Sequence, residues 1–211
     1  MKNTPPSNNP LPALSAAALV EWDGHVESVL RGVAHALNNR AASLTALTAL
    51  VVEPDYTPET AQGLLAMEVD RLSEIVGVVR AVGAPKGDVE AFEPADAARS
   101  ASAVLALHAG MRDRTVTINA SAPPVRAYRW MFVRALVVLV GQAAEGDRRA
   151  PITLHLSETD GWVLATTTGS TVNKRSAYLE EIAVALGGEP LAQGSGFRVP
   201  TLATLRRREG R

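Results

Sequence analysis

The sequence predicts an α+β fold in which a helical hairpin precedes an α/β sandwich, and three observations support this prediction. Residues 15–52 and 58–82 repeat apolar side chains at three- and four-residue steps, which is the period of amphipathic helices. After residue 91, helical patterns mix with alternating strand patterns. Between the two regions, VGAPKGDVEAFEP at residues 82–94 contains the glycine and proline residues typical of a linker.

Composition excludes several classes of function. The chain has 211 residues, a net charge of -1 and 4% aromatic residues, which does not fit a basic, ring-rich surface for nucleic acid. It has no cysteine, which excludes disulfides, thiolate metal sites and thiol catalysis. No apolar run reaches the roughly 20 residues of a membrane span, and no secretory signal pattern is visible. We therefore expect a cytoplasmic protein that binds neither nucleic acid nor membranes.

The first helix is predicted after a flexible tail at residues 1–14, where proline and asparagine favour a loop. Its core-facing positions follow a heptad pattern. One heptad position holds Leu30, Leu37, Leu44 and Val51, and the other holds Val33 and Leu47. Pro54 is expected to end this helix, because proline lacks the amide hydrogen that the helix needs.

The second helix is predicted to begin with Thr57 as its N-cap and Pro58 at its first helical position. Its apolar face carries Leu65, Leu72, Ile75, Val79 and Val82. Residues 15–83 are therefore predicted to form an antiparallel hairpin. Because a lone hairpin leaves one apolar face uncovered, we expect two copies to pair as a homodimer with a four-helix bundle.

Residues 91–205 are predicted to form the sandwich, after a linker at residues 84–90 and before a basic tail at residues 206–211. Helices are predicted in PADAARSASAVLALHAG, YRWMFVRALVVLVGQAAEG and SAYLEEIAVALGG. Strands are predicted in TVTIN, PITLHLS, WVLATTT and GFRVPTL, and the turn ETDG predicts a β-hairpin between two of them. We expect the helices to cover one face of a mixed sheet.

RGVAHALNNRAASL at residues 31–44 places a histidine and two asparagines in an alanine-rich helix. The heptad pattern puts His35 opposite the core-facing leucines, so its side chain is expected in solvent. Asn39 lies one turn after it and Arg31 one turn before it on the same stripe. Neutral imidazole is a nucleophile, the guanidinium could hold an anion, and the amide could orient a water. A solvated helix face without chemistry is the alternative.

The order of the segments adds a resemblance. AHALNNRAASL resembles the histidine box of bacterial sensor histidine kinases, with His35 at the phosphoacceptor position and Asn38 and Asn39 at the asparagine pair. The hairpin resembles the family's dimerisation and histidine-phosphotransfer domain. FEPADAARSASAVLALHAGMRDRTVTINA, RALVVLVGQAAEG and ALGGEP with GSGFRVP are similar to parts of its ATPase domain. The similarity covers about residues 20–202.

The sequence departs from that family where ATP and magnesium would bind. Gln142 stands where an asparagine should hold magnesium, an ion that demands near-ideal octahedral geometry. Thr167 stands about where an aspartate should accept the adenine amino group, and of the glycine box only Gly169 remains. A short segment, about STVNKR, replaces the long lid. Ala36 follows His35 where the family has an acidic residue. Because a general base raises the rate of a reaction by about 10²–10⁴-fold, its absence is expected to impair autophosphorylation.

With these departures and the retained His35, the sequence resembles the bacterial histidine phosphotransferases that are built as pseudo-kinases. The resemblance implies that His35 relays a phosphoryl group between the aspartates of response-regulator receiver domains in two-component signalling, without ATP. It implies that the chain itself holds no cofactor and no metal, that magnesium comes with the partner receiver, and that the second domain is a degenerate ATPase-like domain. The expected roles are Asn39 for orienting water or phosphate, Arg31 and Arg40 for phosphate charge, and Gln142, Thr167 and Gly169 for a degenerate nucleotide site.

Other functions remain open from the sequence. Asn39, four residues after His35, fits a phosphatase that positions water against an aspartyl phosphate. A pseudo-kinase that sequesters a response regulator needs neither residue. A divergent active sensor histidine kinase and a dimeric scaffold without phosphate chemistry are further alternatives. His25, His108 and His155 lack partners at metal-ligand spacing and are expected to be structural.

Overall fold

The structure is a computed structural model that describes residues 13–50, 57–83, 87–111, 114–145, 150–168, 175–192 and 196–209. Residues 1–12 of the predicted 1–14 tail, the heptad residue Val51, Pro54, Gly169 and residues 170–174 of the segment STVNKR lie outside these ranges. Within them, the chain forms the predicted α+β arrangement of a helical hairpin and an α/β sandwich. No helix of the described residues is both long enough and apolar enough to span a membrane.

The described residues form six α-helices and seven strands. The helices are α1 (Ala16–Leu50), α2 (Pro58–Val82), α3 (Pro94–Ala106), α4 (Arg129–Glu145), α5 (Ala177–Ala185) and α6 (Leu202–Glu209). The strands are β1 (Val89–Phe92), β2 (Val116–Ala120), β3 (Val125–Tyr128), β4 (Ile152–Thr159), β5 (Trp162–Thr168), β6 (Glu189–Pro190) and β7 (Gly196–Pro200). A short 3₁₀ turn, Ala109–Met111, follows α3.

The hairpin consists of α1 and α2. Thr57 caps α2 as predicted, because its side-chain oxygen accepts a hydrogen bond from the Thr60 amide at 3.3 Å. Val33 and Leu47 of α1 are buried, as the heptad pattern predicted. The other heptad position is not buried within the single chain, since Leu30 and Leu37 are 48% and 43% exposed. The reason is that the first half of α1 packs against both α2 and the sandwich, which turns these leucines outward.

The sandwich is built on a five-stranded mixed sheet with strand order β2-β4-β5-β7-β6. β2 and β4 are parallel, and the remaining neighbours are antiparallel, including the predicted β4–β5 hairpin. That hairpin turns through Asp160 and Gly161, both with positive φ. The helix α4 is buried from Met131 to Ala144, so its apolar composition reflects its place in the core. A second, two-stranded sheet pairs β1 with β3.

One continuous hydrophobic core joins the hairpin to the sandwich. At its centre, the Arg134 guanidinium lies 4.5 Å from the ring centroid of Trp22 and 5.0 Å from that of Trp130. Arg134 also donates to the carbonyl oxygens of Val82, at 2.9 Å, and Gly83, which end α2. Cation–π contacts and charge-assisted hydrogen bonds of this kind favour one placement of the hairpin on the sandwich.

Two segment boundaries differ from the sequence predictions. Strand β1 begins at Val89, inside the predicted linker at residues 84–90. Residues 206–209 of the predicted basic tail belong to α6, and the Arg208 guanidinium lies 5.4 Å from the ring centroid of Trp162. Residues 210 and 211 are outside the described chain. The Trp162 ring thus gives Arg208 a cation–π contact that the charge pattern of the sequence does not reveal.

Candidate functional site

His35 lies near the middle of α1 and is exposed, as the heptad pattern predicted. The side-chain amide of Asn39 lies one turn further on, with its Nδ2 atom 3.3 Å from His35 Nε2. In this contact the amide nitrogen donates, which matches the tautomer of the neutral ring with its proton on Nδ1 and its lone pair on Nε2. In that tautomer Nε2 is the nucleophilic nitrogen.

Arg31 lies on the same helix, one turn before His35. Its guanidinium donates to Glu27 at 2.7 Å, and both side chains are mostly exposed, at 66% and 74%. An exposed i,i+4 ion pair contributes only about 0.3–0.5 kcal/mol. The pair is therefore weak enough for Arg31 to exchange its carboxylate partner for another anion.

Arg40 is placed differently from Arg31. Its Nη1 atom donates to both oxygens of Glu68 on α2, at 3.1 and 3.2 Å, and Arg71 donates to the same carboxylate at 2.9 Å. The Glu68 side chain is 7% exposed, so its charge needs these partners. Arg40 thus neutralises a buried carboxylate and ties α1 to α2. Sequence patterns did not single out Glu68, because a lone glutamate in a helix is ordinarily solvated.

Gln142 is buried near the end of α4, and its side chain is held by the hairpin. Its amide Nε2 donates to Oε1 of Glu21 on α1 at 2.8 Å. The other oxygen of that carboxylate accepts the main-chain N–H of Tyr178, in the first turn of α5, at 3.1 Å. A carboxylate is favoured at that place, because unpaired amides and the helix dipole make a helix N-terminus attractive to anions.

The first turns of α1 are further tied to α5. The Trp22 and Tyr178 rings stack with centroids 5.4 Å apart, and Ser15 donates to Glu181 through its backbone N–H and its hydroxyl. Burial raises the pKa of Tyr178 to about 12, against the opposing effect of Arg134. The hydrogen bonds from Ser15 lower the pKa of the Glu181 carboxyl. The first turns of α1 thus pack on α5 next to Gln142.

Thr167, the other described residue of the expected nucleotide site, lies in β5 opposite Leu154 of β4. It is half-buried. Gly169, the third, lies outside the described residues. Of the positions expected to form a degenerate nucleotide site, Gln142 is therefore buried and bound to Glu21, and Thr167 lies in the sheet.

A cleft of about 730 Å³ opens between α1, the 3₁₀ turn and the end of α4. His25 and His108, both buried, meet in its wall, with His25 Nδ1 3.4 Å from His108 Nε2. His108 Nδ1 accepts the Gly110 N–H at 3.2 Å, so the proton of the neutral ring lies on Nε2 and points to His25. Burial lowers the pKa of His108 to about 4, with a further lowering by His25 and an opposing effect of Glu145.

His25 and His108 thus contact each other and the 3₁₀ turn, and His155 lies half-buried in β4. Within the described ranges, no group of three or more histidine, aspartate or glutamate residues could hold a metal ion.

No protein-family model matches the sequence, and a search of curated proteins finds no match. Among solved structures, the chain is similar to the Acinetobacter baumannii histidine kinase AdeS, with a TM-score of 0.40, 12% identity and coverage of 80% of this chain and 98% of that one. A bacterial phosphotransferase gives a TM-score of 0.44 and 13% identity, over 89% of this chain and 97% of that one.

Full-length ShkA in complex with AMPPNP gives a TM-score of 0.42 and 15% identity, over 87% of this chain and 45% of that one. With identities this low and TM-scores below 0.5, these matches assign neither a function nor a family to the chain.

Proposed function

We propose that this protein is a histidine phosphotransferase of two-component signalling, which relays a phosphoryl group between receiver-domain aspartates through His35 without using ATP. The observation that carries the proposal is the exposed His35 ring on α1, whose Nε2 accepts from Asn39 at 3.3 Å. The His35 ring thus lies at the surface of the hairpin, where a second protein can reach it.

The transfer step is a displacement at phosphorus. His35 Nε2 attacks the phosphorus of an aspartyl phosphate, an N–P bond forms, and the P–O bond to the aspartate breaks with its electron pair leaving on the carboxylate. The Nδ1 proton stays on the ring during attack. Such transfers depend mainly on positioning and on charge neutralisation. Arg31 can neutralise phosphate charge, the receiver supplies magnesium, and the reverse step delivers the group to a second receiver.

The contacts of Gln142 support a role without ATP. Its amide donates to Glu21, and Glu21 also caps α5 through the Tyr178 N–H. A magnesium–nucleotide complex at Gln142 would have to displace a carboxylate held by two donors and the aromatic stack beside it. Titration with ATP and magnesium, followed by calorimetry, is expected to give no binding heat. A micromolar dissociation constant would contradict this part of the proposal.

A homodimer is part of the proposal, because the hairpin has an uncovered apolar face. Its exposed or half-exposed residues follow three- and four-residue steps on α2 and seven-residue steps on α1: Leu65, Val69, Leu72, Val76 and Val79, with Leu30, Leu37 and Leu44. At about 100° per residue, both stripes lie roughly 80° around their helices from the α1–α2 contact. Because α1 and α2 are antiparallel, the two stripes lie on the same face of the hairpin. A second hairpin would cover this face in a four-helix bundle.

The decisive experiment is transfer from a receiver domain that has been labelled with radioactive acetyl phosphate. We expect the label to appear on wild-type protein and to be lost in His35→Gln, while Asn38→Ala, an exposed neighbour, retains it. Label that moves to a second receiver supports the relay. If label on the receiver is unchanged under every condition tested, the proposal fails, and tight binding without transfer would favour a sequestering protein.

A phosphatase is the second candidate, and the position of Asn39 favours it. The Asn39 amide is exposed one turn from His35, where it could orient a water against an aspartyl phosphate. In the same assay a phosphatase releases inorganic phosphate, and that release would persist in His35→Gln. A divergent kinase would instead incorporate label from γ-labelled ATP into His35.

A further inference from the structure

The sandwich touches α1 one turn before His35. A Cβ atom added to Gly32 would lie 1.6 Å from the carbonyl oxygen of Leu107, so the absence of a side chain lets the helix rest directly on the end of α3. Three residues of helix separate Gly32 from His35, which is a rise of about 4.5 Å. His35 therefore lies about one helical turn beyond the place where the sandwich contacts α1.

The two sides of this contact differ. At about 100° per residue, His35, Ser28 and Gly24 lie roughly 40–80° to one side of the Gly32 direction. Val29 and Val33, which are buried, lie on the side of α2. The cleft of about 730 Å³ is lined on α1 by Gly24 and Ser28 and on the sandwich by Ala109 and Gly110, so it lies on the same side as His35.

On the other side, α2 and α3 enclose a separate groove of about 450 Å³. This groove is lined by Gly77 and Ala81 of α2 and by Ala103 and Ala106 of α3. None of its described lining residues belongs to α1. The contact between α1 and α3 therefore lies between this groove and the cleft. The hairpin and sandwich thus form a corner with His35 on one side only of the α1–α3 contact.

We propose that the receiver domain docks in this corner, so that its surface contacts the ledge formed by Ala109 and Gly110 as well as the exposed stripe of α1. The inference rests on the proposed phosphotransfer function and assigns to the sandwich a part of the partner's binding surface. The partner is a folded domain that carries an aspartyl phosphate.

The size of such a partner supports this docking mode. A small domain is about 30 Å across, so one that brings its phosphoryl group to His35 extends roughly 15 Å along α1 from that point. Ser28, the α1 residue nearest to His35 in the cleft that Ala109 and Gly110 line, lies seven residues before it, which is about 10.5 Å along the helix. Ala109 and Gly110 are exposed and small, which leaves room for the partner's backbone to approach.

The chemistry of the cleft defines the matching surface. Glu21 and Glu145 provide negative charge in its lining, and Arg114 provides positive charge. Gln142 and the two histidines add hydrogen-bonding groups. A polar surface with charges of both signs fits this lining, whereas the groove between α2 and α3 is lined mainly by apolar side chains.

The test uses full-length protein and a purified receiver domain that transfers its phosphoryl group to the wild type. Ala109→Arg places a long side chain on the ledge beside His35, and Ala103→Arg places the same side chain on the other side of the α1–α3 contact. Both alanines are exposed, so both variants should fold. We expect kcat/KM for transfer to fall at least tenfold in Ala109→Arg, with recovery at high receiver concentration, and to change less than twofold in Ala103→Arg.

Hydrogen exchange gives a second readout that does not depend on a variant. A receiver with its aspartate replaced by asparagine should protect the amides of Ala109–Met111 and leave those of Gly77 and Ala81 unchanged. Equal transfer by wild type and Ala109→Arg, or no protection of the turn on binding, would overturn the docking proposal while leaving the phosphotransfer function intact. Absence of any transfer by the wild type would instead remove the function on which it rests.

Discussion

The Glu21 carboxylate and the Gln142 amide meet at 2.8 Å across the junction between hairpin and sandwich, although 121 residues separate them in the chain. The contact joins the second turn of α1 to the end of α4, and the same carboxylate accepts the Tyr178 N–H. A single acidic side chain therefore links three helices.

Replacement of Glu21 by alanine should destabilise the fold by about 1–3 kcal/mol, because it leaves a buried amide and a helix N-terminal N–H without their acceptor. Asp23 lies two residues further along the same helix and is exposed, so Asp23→Ala should change the free energy of unfolding by less than about 0.5 kcal/mol. Urea unfolding monitored by tryptophan fluorescence measures both. Equal stability of the two variants would show that the carboxylate contributes nothing at the junction.

Asn39→Ala should slow phosphoryl transfer to His35 by roughly fivefold, the effect of losing one hydrogen bond worth about 1 kcal/mol. The reason is that the amide fixes the tautomer with a lone pair on Nε2. Asn38→Ala, the exposed neighbour, is the matched control and should transfer at the wild-type rate. Rapid-quench measurement of label on His35 separates the two, and an unchanged rate in Asn39→Ala would remove Asn39 from the site.

Stability should fall as the pH is lowered from about 6.5 towards 4. The pKa of His108 is lowered from 6.5 to about 4, chiefly by burial and then by His25, so protonation favours the unfolded chain. The stability from the neutral ring is fully present above pH 6.5 and is lost progressively down to about pH 4. His108→Asn should flatten this acid limb in denaturation curves recorded between pH 7.5 and 4, whereas His155→Asn should retain it.

Gly32→Ala should destabilise the protein even though alanine favours a helix by about 1 kcal/mol over glycine. The new Cβ would lie 1.6 Å from the Leu107 carbonyl oxygen, so α1 and α3 must move apart. At Gly24, on the same helix, nothing lies within 4 Å of the added atom. Gly24→Ala should therefore raise the melting temperature while Gly32→Ala lowers it, and a stabilising Gly32→Ala would show that the helices are not in close contact.

Local patterns predicted most of the elements. The Thr57 cap, the hairpin around ETDG and the apolar helix before residue 146 each depend on neighbouring residues, so they are visible in the sequence. The exposure of His35 was also predicted, because the alternation of apolar and polar positions along α1 determines which side of the helix faces solvent.

Packing could not be predicted in the same way. The heptad pattern gave Leu30 and Leu37 a core position, and within the single chain they are exposed because α1 packs against two neighbours at once. The ion pair of Arg40 with Glu68 of α2 was not predicted either. Each outcome depends on which helix lies opposite, and periodicity within one helix carries no information about that.

The sequence by itself determined the order of helices α1–α5 and of strands β2, β4, β5 and β7, because each has a local pattern of apolar residues. The exposure of His35 and its one-turn spacing to Asn39 follow from the helical repeat. Tertiary structure alone decided that Glu21 binds Gln142, that Gly32 rests on Leu107 and that α1 and the sandwich together line a cleft. These contacts join residues far apart in the chain, and they form only when the core shared by the hairpin and the sandwich brings the two together.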